Sequence, residues 1–184
     1  MTARVIAVFG SSATPVGTEQ WKEAETVGRR LAEAGLGVVT GGYGGTMEAA
    51  SRGAAMAGGR VVGVVAPELF RDRSGANQFV AEELAEPTLA ARIGTLTDLA
   101  SGTIVLPGSI GTAAELVVAW NMNHIARLSG ASRLPTVTVG PVLADLCLML
   151  IDKLGANPVD ITNVATGDEA VNWMLSQPEI NEAR

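Results

Sequence analysis

Two residues carry the chemistry that this sequence suggests, Glu115 and Arg92. Glu115 ends the run Pro107-Gly108-Ser109-Ile110-Gly111-Thr112-Ala113-Ala114-Glu115. The run follows Thr103-Ile104-Val105-Leu106, a short apolar segment that reads as a buried strand, and leads into Leu116-Val117-Val118-Ala119-Trp120, which continues as a helix. A glycine turn between strand and helix aims free backbone N–H groups at whatever sits above it, and the helix dipole favours an anion there. Glu115 is expected about one turn into the helix, which puts a carboxylate close to that anion. Such an arrangement suits chemistry on a phosphorylated small molecule.

Each feature also has an ordinary explanation. Thr112-Ala113-Ala114-Glu115 has the spacing of a capping box, in which Thr and Glu satisfy the free N–H groups of a helix start. Arg92, in Thr88-Leu89-Ala90-Ala91-Arg92-Ile93-Gly94, reads equally as a solvated helix charge. Glu48 complements a helix dipole, and glycines in strand-to-helix turns permit tight backbone geometry.

The elements that must position these residues alternate along the chain. Val5–Phe9, Gly37–Thr40, Val61–Val65, Thr103–Leu106, Thr136–Val139 and Asn163–Ala165 read as strands. Helices are expected from the Thr18 cap to Ala34, from Thr46 to Ala57, from the Thr88 cap through Ala100, from Gly111 to Leu128, from Pro141 to Leu154 and from Asp168 to Leu175. The polar stretch Pro67 to Asn77 reads as a loop. Short apolar strands separated by helices imply parallel pairing and right-handed crossovers. The expected fold is therefore α/β: a doubly wound, Rossmann-like parallel sheet of about six to seven strands with helices on both faces, forming one domain. Ligands in such sheets sit beyond the C-terminal strand ends. Gly10-Ser11-Ser12, Gly41 to Thr46 and Pro107 to Thr112 all fall there, so three turns build one site.

Composition narrows the function classes. The formal net charge of −6 argues against a general nucleic-acid surface, which needs a basic stripe. No apolar stretch approaches the length of a membrane-spanning helix, and the expected location is cytoplasmic. The single Cys147, in an apolar helical run, reads as a buried structural thiol, and with one histidine, His124, no transition-metal site is expected. Pyridoxal-phosphate chemistry needs a Schiff-base lysine, whereas Lys22 and Lys153 both lie on helices away from the glycine turns. The first turn lacks G-x-G-x-x-G, and no Walker A lysine is present.

The pattern Pro-Gly-x-x-Gly-Thr-x-x-Glu, with Arg92 fifteen residues before the proline, resembles the LOG family of cytokinin-activating phosphoribohydrolases. The resemblance extends to Gly10-Ser11-Ser12, to Gly41-Gly42-Tyr43-Gly44-Gly45-Thr46-Met47 and to Ala57 through Val65, covering roughly residues 4 to 140. It departs from the family pattern at three places: Ser109 where glycine is usual, Ala114 where the first of two paired glutamates is expected, and Ile93 where lysine commonly follows the arginine. Gly45 through Ala54 is also similar to the molybdenum-cofactor carrier proteins, which share the fold and bind without hydrolysing.

The resemblance implies hydrolysis of the N-glycosidic bond of a nucleoside 5′-monophosphate of adenine or N6-modified adenine type. It assigns Glu115 and Arg92 as catalytic. The Gly108, Ser109, Gly111 and Thr112 turn, with Gly42, Gly44, Gly45 and Thr46, would hold the phosphate, while Gly10 and Ser11 would line the nucleotide pocket. It implies neither metal nor organic cofactor, and it implies a homodimer. The alternative it leaves open is a non-catalytic nucleotide or molybdenum-cofactor carrier.

Overall fold

A computed structural model of the protein describes residues 4–73 and 75–181. Seven parallel strands form one sheet: β1 (Val5–Phe9), β2 (Gly37–Thr40), β3 (Val61–Val65), β4 (Glu82–Ala85), β5 (Ala100–Val105), β6 (Thr136–Val139) and β7 (Thr162–Val164). Their spatial order is β4-β3-β2-β1-β5-β6-β7. The chain builds outward from β1 to β4, then returns through α3 (Leu89–Leu99) to lay β5 on the other side of β1. The winding direction therefore reverses between β1 and β5, and the loops leaving these strands diverge to opposite faces of the sheet. That divergence opens a crevice at their C-terminal ends.

Strand residues alternate between two cores, as the period of a pleated strand requires. Ile6 and Val8 of β1 join the side chains of α1 (Glu19–Glu33), α2 (Thr46–Met56) and α6 (Gly167–Ser176). Val5, Ala7 and Phe9 face α3, α4 (Ile110–Ser129) and α5 (Pro141–Leu154). Burial on both faces explains the near-continuous apolar runs of the central strands.

Helix starts follow the caps read from sequence. The hydroxyls of Thr18 and Thr88 accept from the N–H groups of Trp21 and Ala91, and Pro141 opens α5. The edge strand β4 is not expected from sequence. All four of its residues are exposed, its polar residues Glu82 and Glu83 show no alternation, and it is held by backbone pairing with β3 and by a two-pronged Arg60–Glu82 ion pair. Such charged, short edges resist pairing with other chains. A single-turn helix α7 (Pro178–Asn181) and a 3₁₀ turn (Pro158–Asp160) are likewise too short to leave a period. The stretch Pro67 to Asn77 is a loop, as expected, wherever it is described.

Helices α1 and α2 approach closely through their glycines: a Cβ on Gly53 of α2 would collide with the Glu25 carbonyl oxygen of α1. Gly28 of α1 lies so close to α2 that a Cβ there would collide with the Ala50 carbonyl oxygen. Gly28→Ala is therefore expected to cost about 2 kcal/mol through overpacking and lower Tm by several degrees. Gly94→Ala, at an α3 position where an added Cβ meets nothing, should leave stability unchanged or raise it by up to about 1 kcal/mol. Calorimetry giving the reverse order would show that the α1–α2 spacing is not constrained.

Candidate functional site

Arg92, in the first turn of α3, is buried with its guanidinium wrapped in protein acceptors. Its Nε donates to the Val64 carbonyl of β3 at 2.8 Å, and Nη2 donates to the Gly41 carbonyl beyond β2 at 3.1 Å. Its Nη1 reaches Glu115 Oε1 at 3.4 Å. A Cβ on Gly41 would overlap Nη2, so the glycine after β2 is what lets the arginine lie across the strand ends. The solvated-charge reading of Arg92 is thereby overturned, since only 5 % of the residue is exposed.

Glu115 comes from α4, which starts at Ile110, so the carboxylate lies about one and a half turns into the helix and not one. It is 8 % exposed. Burial pushes its carboxyl up to about 7, and the facing Arg92 guanidinium opposes that shift without cancelling it. The group thus exchanges its proton near neutral pH, the range in which a general acid or base works best.

The glycine turn after β5 resolves the capping-box ambiguity. The N-cap of α4 is Ser109, whose side chain makes no capping bond, and Thr112 lies inside the helix. Thr112 and Glu115 therefore do not cap the chain. The first-turn N–H groups of an α-helix have no intrahelical acceptor, and here no cap side chain satisfies them. The Thr112 hydroxyl is buried and has no hydrogen-bond partner among the described residues. Ser109 has φ −101°, an extended conformation open to any residue, so serine costs this turn no strain.

A cavity of about 230 Å³ joins these groups. Of the residues expected from sequence, Gly10, Ser109, Gly111, Thr112, Arg92 and Glu115 line it. Ser11, Gly42, Gly44, Gly45, Thr46 and Gly108 do not line it. Thr46 ties loops together, its N–H and hydroxyl both donating to the Ser11 carbonyl at 2.9 and 3.1 Å. The Ser11 hydroxyl accepts from the Ala13 N–H at 3.1 Å.

Sequence reasoning missed one wall of this cavity. Phe70 and Arg73, from the loop after β3, meet Tyr43 there. The Tyr43 and Phe70 rings pack edge to face with centroids 5.3 Å apart, and the Tyr43 hydroxyl accepts from the Ala66 N–H at 2.8 Å. Asn77 pins the loop by donating its side-chain amide to the carbonyls of Gly42 and Tyr43. A loop has no period, so nothing in the sequence says which of its side chains turn inward. Cys147 is buried, and burial raises its thiol pKa, as expected of a structural cysteine.

An all-parallel sheet with its cavity at the reversal point, floored by a buried ion pair and one uncapped helix start, defines a Rossmann-like α/β protein. Within that class the chain belongs to the SLOG cluster4 family, whose model matches residues 3–138. It is 32 % identical over 137 residues to a Mycobacterium tuberculosis protein named cytokinin riboside 5′-monophosphate phosphoribohydrolase, covering 74 % of this chain and 70 % of the relative. A Rhodococcoides fascians protein of the same name is 29 % identical over 67 % of this chain and 63 % of its own length. Among solved structures, the molybdenum cofactor binding protein of Rippkaea orientalis superposes with a TM-score of 0.74 at 22 % identity, covering 96 % of this chain and 98 % of that one. That likeness shows the shared fold.

The Glu115 environment has a measurable consequence. Its folded pKa of about 7 exceeds the ordinary 4.5, so the folded state binds the extra proton between those values. Stability contributed by the protonated carboxyl is full below the lower value and is lost as pH rises through about 7. The loss should be of order 3 kcal/mol. Glu115→Gln should flatten that fall, as read from denaturant unfolding at pH 5 and pH 8. An unchanged pH slope would show that Glu115 is not buried against its charge.

Proposed function

We propose that the protein hydrolyses the N-glycosidic bond of a nucleoside 5′-monophosphate, of adenine or N6-modified adenine type, to free base and ribose 5-phosphate. The observation that carries this reading is the buried Arg92–Glu115 pair at the cavity, with the carboxyl poised near neutrality. The phosphoribohydrolase names of the mycobacterial and Rhodococcoides relatives support it.

Cleavage of the bond between C1′ and the base nitrogen leaves the electron pair on the base and builds positive charge on the ribose. A carboxylate beside C1′ stabilises that charge, and it takes a proton from the attacking water as the new C1′–O bond forms; the base nitrogen gains a proton from solvent, and the carboxyl returns its own to water. Glu115 fills this role as its ionised form. Arg92 is already committed to two carbonyls, so it positions the carboxylate and holds down its pKa. It is poorly placed to act as a phosphate ligand. The Gly108–Thr112 turn offers the uncapped N–H groups and the unpartnered Thr112 hydroxyl for the phosphate. This chemistry calls on no metal or organic cofactor.

A carrier that binds without turnover is the second reading. The end-to-end likeness to the Rippkaea molybdenum cofactor binding protein favours it, as does Ala114, which lines the cavity where the resemblance expects a second glutamate. The two readings separate on product analysis. Incubation with AMP and N6-isopentenyl-AMP should release free base and ribose 5-phosphate from the wild type, and Glu115→Gln should cut turnover at least a hundredfold while nucleotide still binds. Stoichiometric binding with no product from the wild type would establish the carrier.

A homodimer fits the apolar stripe along α4, where Ile110, Val117, Val118, Ile125 and Leu128 are all exposed. Leu148, Met149 and Leu154 on α5 are exposed as well. Because Ser109 and Gly111 at the start of α4 line the cavity, a second copy on this helix would border the site. Sedimentation at micromolar concentration should give a dimer, and Ile125→Glu a monomer. A monomeric wild type would refute the dimer.

A further inference from the structure

The ionisable side chains that line the cavity are Tyr43, Arg73, Arg92 and Glu115. Arg92 spends its donors on Val64, Gly41 and Glu115, so these two charges largely answer each other. Arg73 is different. Its guanidinium carbon lies 4.5 Å from the Tyr43 ring centroid and 4.6 Å from that of Phe70, and among the described residues it has no carboxylate partner. Cation–π contact fixes the plane of an arginine while leaving its N–H edges free to donate, since the rings offer no lone pairs in that plane. The scaffold is itself fixed, because Tyr43 bonds Ala66, and Asn77 pins the loop to Gly42 and Tyr43.

We infer that Arg73 is the phosphate-recognising side chain of this cavity, a charged donor held on an aromatic platform in the cavity that the buried Arg92–Glu115 pair also lines. The inference deepens the nucleoside monophosphate reading and rests on it for the identity of the ligand. A phosphate monoester is the chemistry that suits the place: a planar, permanently charged fork pairs with its oxygens, and the N–H groups at the start of α4 line the same cavity. The platform makes the cation available at little entropic cost, since the rings already hold it in one orientation.

A purely structural arginine, packed on two rings to hold the loop, predicts different behaviour. Binding is measured by calorimetry in the Glu115→Gln background, where turnover is blocked, with AMP, ribose 5-phosphate and adenosine as probes. Arg73→Gln should weaken AMP and ribose 5-phosphate at least tenfold and adenosine less than twofold. Arg73→Lys should restore part of the phosphate affinity. AMP affinity should fall with added salt, and less steeply in Arg73→Gln. Equal losses for AMP and adenosine would make Arg73 structural, and no loss for any probe would remove it from the site. If neither phosphate ester binds even with Arg73 intact, the inference falls too. Arg73-dependent AMP binding in a wild type that releases no base would overturn the hydrolase reading alone.

Discussion

The site depends on one constraint: a guanidinium buried across the ends of two parallel strands must find acceptors there. At the C-terminal edge of a parallel sheet the last carbonyls point outward without a partner strand, and Arg92 satisfies two of them, at Val64 and Gly41. An isolated charge at that depth would be costly. Two carbonyl dipoles and one carboxylate make it tolerable. The same contacts pin α3 to β2 and β3 and fix where Glu115 on α4 must lie. Sheet, return helix and catalytic candidate are therefore coupled through one side chain.

That coupling explains the unequal treatment of the two partners. Arg92 has three acceptors, whereas among the described residues the Glu115 carboxylate has one partner, at a long 3.4 Å. For a carboxylate, desolvation then outweighs a single stretched attraction, and the pKa rises. A tighter, two-pronged pair would have held the carboxyl well below neutrality and left it inert as a base. The long distance is what leaves the group titratable.

Much of this was legible in the sequence, for physical reasons that also mark where legibility ends. The five inner strands are buried and so are written as largely apolar runs, and the helices carry caps and glycine stops. Edge strand β4 is exposed at all four residues and buries no apolar face, so Glu82-Glu83-Leu84-Ala85 carries no periodic signal. Thr112-x-x-Glu115 was ambiguous because a capping box and a catalytic loop share one spacing. The helix start at Ile110, which puts Thr112 inside the helix, excludes the capping box. Arg92 looked like a surface charge because a single helical residue does not reveal which strand ends it crosses. Arg73 was invisible for a related reason: loop side chains are placed by tertiary anchors, here Tyr43 and Asn77, which are distant in sequence or lack periodicity.

The departures from the LOG pattern at Ser109 and Ala114 have unequal weight. Ser109 occupies extended backbone, so the loss of glycine there changes little about the turn's shape. Ala114 is another matter, because it lines the cavity and contributes no carboxylate. Two adjacent acids would raise each other's pKa by repulsion and share the work of holding a sugar. Here the elevated pKa of Glu115 comes from burial alone, so this site reaches a protonatable carboxyl by excluding water. On the proposed nucleotide hydrolysis, a cavity built that way relies less on sugar contacts and more on whatever fixes the rest of the ligand. That shifts the burden of recognition onto the α4 start and the aromatic wall of Tyr43 and Phe70, the two walls on which this chain has polar and planar groups to offer.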